Sequence, residues 1–150
     1  MTDESYQRTI RVKAAPEAVF DAVTSLAGIT GWWTRATGSA GVGGQVELWF
    51  DPPEPCVVRV DEATRPTLVQ WTVTSCFLDE WVGTRPTFAI TPIDDDECEL
   101  EFVHHGLTPA LDCIEMCTRG WDFFIPSLRA YAEVGGGNPL GSEAERARRR

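Results

Sequence analysis

A chain of 150 residues suits one domain with one sizeable core. Its 13 Lys and Arg stand against 23 Asp and Glu, a formal charge of −10. That sign repels phosphate backbones and anionic lipid, which argues against nucleic acid and membrane surfaces as partners. No apolar run approaches the ~20 residues of a bilayer span. The opening "MTDESYQRTI" lacks the basic and apolar regions of a secretory signal. Five scattered cysteines (Cys56, Cys76, Cys98, Cys113, Cys117) with no CxxC read as free thiols, so the expected setting is the cytoplasm.

In chain order, "RTIRVKA" (8–14) alternates, with Ile10 and Val12 on one face, and predicts a strand. "APEAVFDAVTSLAG" predicts a helix, with Pro16 in its first turn, an apolar stripe at Val19, Phe20, Val23 and Leu26, and a stop at Gly28. Trp32 and Trp33 follow, then the glycine-rich loop "GSAGVGG" (38–44). Adjacent tryptophans cannot share one face, so one ring is expected to close the core and the other to cap a cavity mouth.

Period-two patterning then predicts five strands at 45–50, 56–63, 67–76, 84–93 and 97–106, with a tight turn at Asp94, Asp95 and Asp96. In the last strand Cys98, Leu100, Phe102 and His104 share one parity and should face inward, while His105 should face water. Trp49 falls on the parity opposite to Val46, Leu48 and Phe50 and is expected on the outer face, as a candidate partner contact.

The last element is a long helix. Asp112 and Glu115 resemble a capping box, and Ile114, Cys117, Trp121, Phe124, Ile125, Leu128, Tyr131 and Ala132 keep one apolar face. Pro126 removes a donor inside it and predicts a kink. "GGGNP" (135–139) ends the helix. The expected organisation is a domain over 1–139 and a disordered basic tail over 140–150. The fold class that follows is α+β, a curved antiparallel six-stranded sheet wrapped on the long C-terminal helix with a cleft between them.

"PEAVFDAVT", "GWWT", the strand carrying Trp71, "FVHHGL" and "GWDFFIPSLRAYAE", in this order and spacing, resemble the family of homologues of the activator of the 90-kDa heat-shock-protein ATPase. That family lies within the START-like, helix-grip (SRPBCC) superfamily, and the resemblance spans about residues 7–138. It implies a hydrophobic cavity between sheet and helix. Superfamily members include lipid and polyketide binders, aromatic cyclases and hydrolases. The eukaryotic activator is a two-domain cochaperone of the stress response, and this chain has no room for the second domain. The family's H-x-G-L pattern falls on His104, Gly106 and Leu107.

Inward parity and the helix stripe nominate a ligand site of Trp32, Trp33, Leu48, Phe50, Val58 and Trp71 with Phe88, Phe102, His104, Trp121, Phe124 and Leu128. Such a lining favours a flat or aliphatic molecule with few polar anchors. His104 is the candidate acid or base, with Asp122, Glu115 or Tyr131 as helpers, set against a plain hydrogen-bonded core histidine. Cys113, Cys117 and His104 are chemically apt for zinc but lack paired spacing and a fourth ligand, so no metal is expected. No nucleophile elbow or dinucleotide fingerprint is present, because "GSAGVGG" leads into a strand, and no cofactor is expected. The leading expectation is binding of a small hydrophobic or aromatic ligand without clear catalysis. Its alternatives are a cyclase, dehydratase or hydrolase using His104, and a chaperone-related interaction module with a protein partner or as a homodimer.

Overall fold

Alternating inward side chains place seven strands in one antiparallel sheet that curves around the long helix. The computed structural model describes residues 4–150, so the first three residues of the expected 1–139 domain lie outside the described residues. Strands β1 (Tyr6–Val12), β2 (Arg35–Gly38), β3 (Gln45–Trp49), β4 (Cys56–Thr64), β5 (Leu68–Ser75), β6 (Arg85–Asp94) and β7 (Glu97–His105) run in the order β1-β7-β6-β5-β4-β3-β2. The sequence predicts six strands. The seventh is β2, four residues between the Trp pair and the glycine-rich loop, where Ala36 faces Leu48 and Gly38 faces Val46. Four residues carry too few side chains for a period-two signal.

The helix predicted from Pro16 to Gly28 is two helices, α1 (Pro16–Thr24) and α2 (Leu26–Trp32). Ser25 between them is extended, and its hydroxyl accepts from the Gly28 N–H as the cap of α2. Trp32 is therefore the last helical residue and Trp33 the first beyond it. The two rings stay stacked on each other, with centroids 5.6 Å apart and planes 12° from parallel.

The core forms on the inner face of the sheet. Val12, Val46, Leu48, Val58, Val69, Trp71, Phe88, Leu100 and Phe102 are at most 1% exposed. Helix α3 (Ile114–Val134) lays Cys117, Trp121, Phe124, Ile125 and Leu128 on them. The Asp112–Glu115 capping box does not form. The Glu80 carboxylate, in the 3-10 turn Asp79–Trp81, accepts from the N–H groups of Asp112 (3.0 Å) and Cys113 (3.0 Å) and caps α3 from another segment. These backbone bonds hold the Glu80 carboxyl below its usual pKa.

Pro126 lies inside α3 and has no N–H for the Asp122 carbonyl four residues earlier. The Arg8 guanidinium on β1 donates to that carbonyl at 3.0 Å, while the Tyr6 hydroxyl donates to the Asp122 carboxylate at 2.6 Å. Strand β1 thus replaces the missing helix bond. Gly135 ends α3 in the left-handed conformation, with φ 79°, where a glycine is favoured.

Two further expectations need correction. Cys56 and Cys76, read as free thiols, are disulfide-bonded, while Cys98, Cys113 and Cys117 are free. The pairing follows from register: Val57 faces Ser75, which brings the next residues outward together. The expected disordered tail also has structure, because α4 (Glu143–Arg148) packs on the body with Glu145 fully buried. No helix among the described residues is long and apolar enough to cross a membrane.

Candidate functional site

Trp71, Phe88 and Phe102 pack ring on ring beneath the sheet, and a hollow lies at one end of the sheet–helix interface. A cavity of about 260 Å³ opens between α3, the β3–β4 and β5–β6 connections, and the C-terminal segment. Its aromatic walls are Trp33, Phe50, Phe77, Trp81, Trp121 and Phe124. Leu78, Cys56, Met116, Cys117, Gly120 and Leu140 fill the spaces between them. Charge is confined to one edge, at Asp51, Glu145, Arg148 and Arg149.

Each wall is positioned by local structure. Trp33 leaves the end of α2 and packs against Trp121 (centroids 4.9 Å), Phe50 (5.6 Å) and Trp71 (6.2 Å). Trp32 turns inward, where its indole N–H donates to the Ala22 carbonyl at 2.8 Å. The Trp pair thus divides its work, with Trp33 at the cavity and Trp32 sealing the core under α1. Phe50 continues the inward parity of β3 past its end and meets Phe77 at 6.0 Å. Trp81 is fixed from the 3-10 turn, its indole N–H donating to Cys117 Sγ at 3.1 Å.

Of the nominated ligand residues, Trp33, Phe50, Trp121 and Phe124 line the cavity. Trp32, Leu48, Val58, Trp71, Phe88, Phe102, His104 and Leu128 do not line it and are at most 1% exposed. Inward parity finds the buried face but not where packing along that face leaves a void. Phe77, Leu78, Trp81 and the tail residues were missed because they sit in connections and ends that carry no period, and Met116 because it lies in α3 beside the apolar stripe rather than on it. Phe77 and Met116, at 40% and 58% exposed, are large apolar side chains at the rim.

His104 faces inward as its parity predicts, and both ring nitrogens are engaged. The Trp121 indole N–H donates to Nδ1 at 3.0 Å, so the remaining proton is on Nε2, which meets Thr84 Oγ1 at 2.8 Å. The Thr84 hydroxyl in turn donates to the Trp81 carbonyl at 2.5 Å. Gly106, at φ 96°, leaves room for this arrangement, since a Cβ there would lie 2.9 Å from the Thr84 methyl. Burial, with a smaller contribution from His105, pushes the His104 pKa down to about 3.

The proposed helpers stand elsewhere. Asp122 bonds Tyr6, Glu115 pairs with Arg119 at 2.8 Å, and Tyr131 packs beside Gly31. Cys117 accepts from Trp81, and burial raises its thiol pKa. Among the described residues no group of three His, Cys, Asp or Glu stands together as a metal site. Trp49 lies on the outer face, half-buried, its indole N–H donating to Thr37 Oγ1 at 2.8 Å with the Arg35 guanidinium 5.1 Å from the ring centroid.

Comparison with solved structures finds the same architecture. The solution structure of the Aha1 dimer from Colwellia psychrerythraea is 26% identical with a TM-score of 0.77, covering 91% of this chain and 100% of that one. An HSP90 activator from Plasmodium falciparum is 20% identical with a TM-score of 0.68, covering 85% and 94%. CalU16 from Micromonospora echinospora is 16% identical with a TM-score of 0.69, covering 95% and 81%. Comparison with curated proteins finds no match. The family described as Activator of Hsp90 ATPase homolog 1-like protein matches residues 13–133. With this match over most of its length, and the helix-grip arrangement of an open antiparallel sheet around α3, the chain belongs to that family.

Proposed function

We propose that this protein binds one small apolar or aromatic molecule in the end cavity and performs no chemistry on it. The observation that carries this reading is the 260 Å³ hollow walled by six aromatic rings, with charge only along one edge. Such a site stabilises a ligand by removing apolar surface from water and by ring contact. The superfamily habit of enclosing hydrophobic molecules supports it. The state of His104 supports a structural rather than an acid–base role. A general acid or base works best with a pKa near the operating pH and a reachable proton, and His104 offers neither.

A neutral apolar dye such as Nile red is expected to bind with a stoichiometry of one and to quench tryptophan emission, because three indoles line the cavity. Phe77→Ala removes a rim ring that is 40% exposed. It should weaken the dye about fivefold while leaving the melting temperature within a few degrees of wild type. Dye binding no tighter than to an unrelated acidic protein would refute the reading.

A protein contact is the second reading, as a homodimer or with a chaperone-related partner. It is favoured by the dimeric state of the Colwellia psychrerythraea relative. The cluster of Trp49, Arg35 and Thr37 on the outer face is the surface it would use.

A further inference from the structure

We propose that the C-terminal segment 139–150 is a latched lid whose opening sets the rate at which ligand enters and leaves the cavity. This rests on the ligand-binding reading above and adds to it a means of control.

Four residues of this segment, Leu140, Glu145, Arg148 and Arg149, form one side of the cavity. The segment therefore shapes the site, although its composition suggests a solvated end. Leu140 packs on the core, and the rest of the segment's attachment is polar. The Leu140 N–H donates to the Trp33 carbonyl at 2.7 Å, and just before it the Asn138 N–H donates to Ser127 Oγ at 2.6 Å. Arg149 reaches Asp51, in the β3–β4 connection, at 3.4 Å. The Arg148 guanidinium stands 5.0 and 5.4 Å from the ring centroids of Phe123 and Phe124.

The latch is Glu145, the one fully buried carboxylate among the described residues. It accepts from the Gly141 N–H at 3.0 Å and is held by Arg149 Nε at 2.8 Å, with the Arg148 guanidinium at 3.5 Å. A buried carboxylate is tolerated only while its charge is compensated, so loss of one arginine undermines the closed arrangement. Beyond Leu140 the segment has no large apolar side chain to hold it by burial. A region held by a few polar contacts opens locally at less cost than the core. Glycines flank it as hinges, with Gly135, Gly136 and Gly137 at its root and Gly141, at φ 87°, within it.

The test uses full-length protein and stopped-flow kinetics with Nile red on wild type, Glu145→Gln, Arg149→Gln and the control Arg11→Gln. Arg11 pairs with Glu97 on the β1–β7 side of the sheet. A lid predicts association and dissociation rates that rise together, by about tenfold, in the Glu145 and Arg149 variants and not in the control. Amide exchange at Leu140 should accelerate in the same two variants. Arg149 is part-exposed, so Arg149→Gln keeps the test available should Glu145→Gln fold poorly. Dye that binds wild type with rates identical in all four proteins overturns the lid and leaves the ligand-binding reading standing. Absence of dye binding in every protein, with Leu140 exchange unchanged, overturns both.

Discussion

Trp121→Ala is expected to lower the unfolding free energy by about 3–5 kcal/mol, the largest effect of any single truncation at this site. The ring is 2% exposed and packs on Phe102 (4.4 Å), Trp33 (4.9 Å) and Trp81 (6.2 Å, nearly parallel). Its removal opens the floor of the cavity into the core and deprives His104 Nδ1 of its donor. Trp121→Phe separates these contributions. It keeps most of the ring and loses the N–H, so it should cost about 1–3 kcal/mol, the penalty of a buried acceptor left unpaired. Urea denaturation of the three proteins checks the order. A Phe variant as unstable as the Ala variant would place the energy in the hydrogen bond rather than the packing.

The second large effect is on pH dependence. The His104 pKa is pushed down to about 3 in the fold, whereas an unfolded histidine titrates near ~6.5. Between those values the unfolded chain binds a proton that the folded chain refuses. Stability therefore rises with pH across this window: the His104 contribution is full above about 6.5 and is lost as pH falls toward 3. From pH 6.5 to 4.5 wild type should lose about 2 kcal/mol more than His104→Gln, at a slope of up to ~1.4 kcal/mol per pH unit. The Glu80 carboxylate, held below its ordinary pKa, also loses stability in acid, but in both proteins alike. At neutral pH His104→Gln should itself be destabilised by about 2 kcal/mol, because one amide cannot match both Trp121 and Thr84. Denaturant titrations at four or five pH values supply the comparison. Parallel pH profiles would mean that His104 is readily protonated in the fold.

What was legible in the sequence follows the range of the interactions involved. The inward face of β7, with Cys98, Leu100, Phe102 and His104, could be read because a strand's period lies within its own residues. The stripe of α3 could be read for the same reason. The α3 cap could not, because its acid, Glu80, is 32 residues from Asp112 and local spacing pointed to Glu115 instead. The Cys56–Cys76 bond had a usable signal: one strand begins with a cysteine and the next ends with one, so hairpin register alone would have paired them. The tail was read from its charge as solvated, but the same arginines that suggest solvation neutralise Glu145 and let it be buried.

The division of the Trp pair depended on where a helix stops. Ser25 breaks one expected helix into two and leaves Trp32 inside the second and Trp33 beyond it. The location of the void was the least legible feature. It depends on which connections happen to converge, and four of the twelve nominated residues reach it.

Occupation of the cavity is the claim on which the rest depends, and Gly120→Leu tests it most directly. Gly120 lies on α3 in the cavity lining, and a Cβ there meets no atom within 4 Å. Leucine should enter the hollow while improving helix propensity by about 1 kcal/mol. Fluorescence titration with Nile red, run beside thermal melts, is predicted to show at least a tenfold loss of affinity in a variant as stable as wild type or more so. A stable Gly120→Leu protein that binds the dye as tightly as wild type would contradict the account.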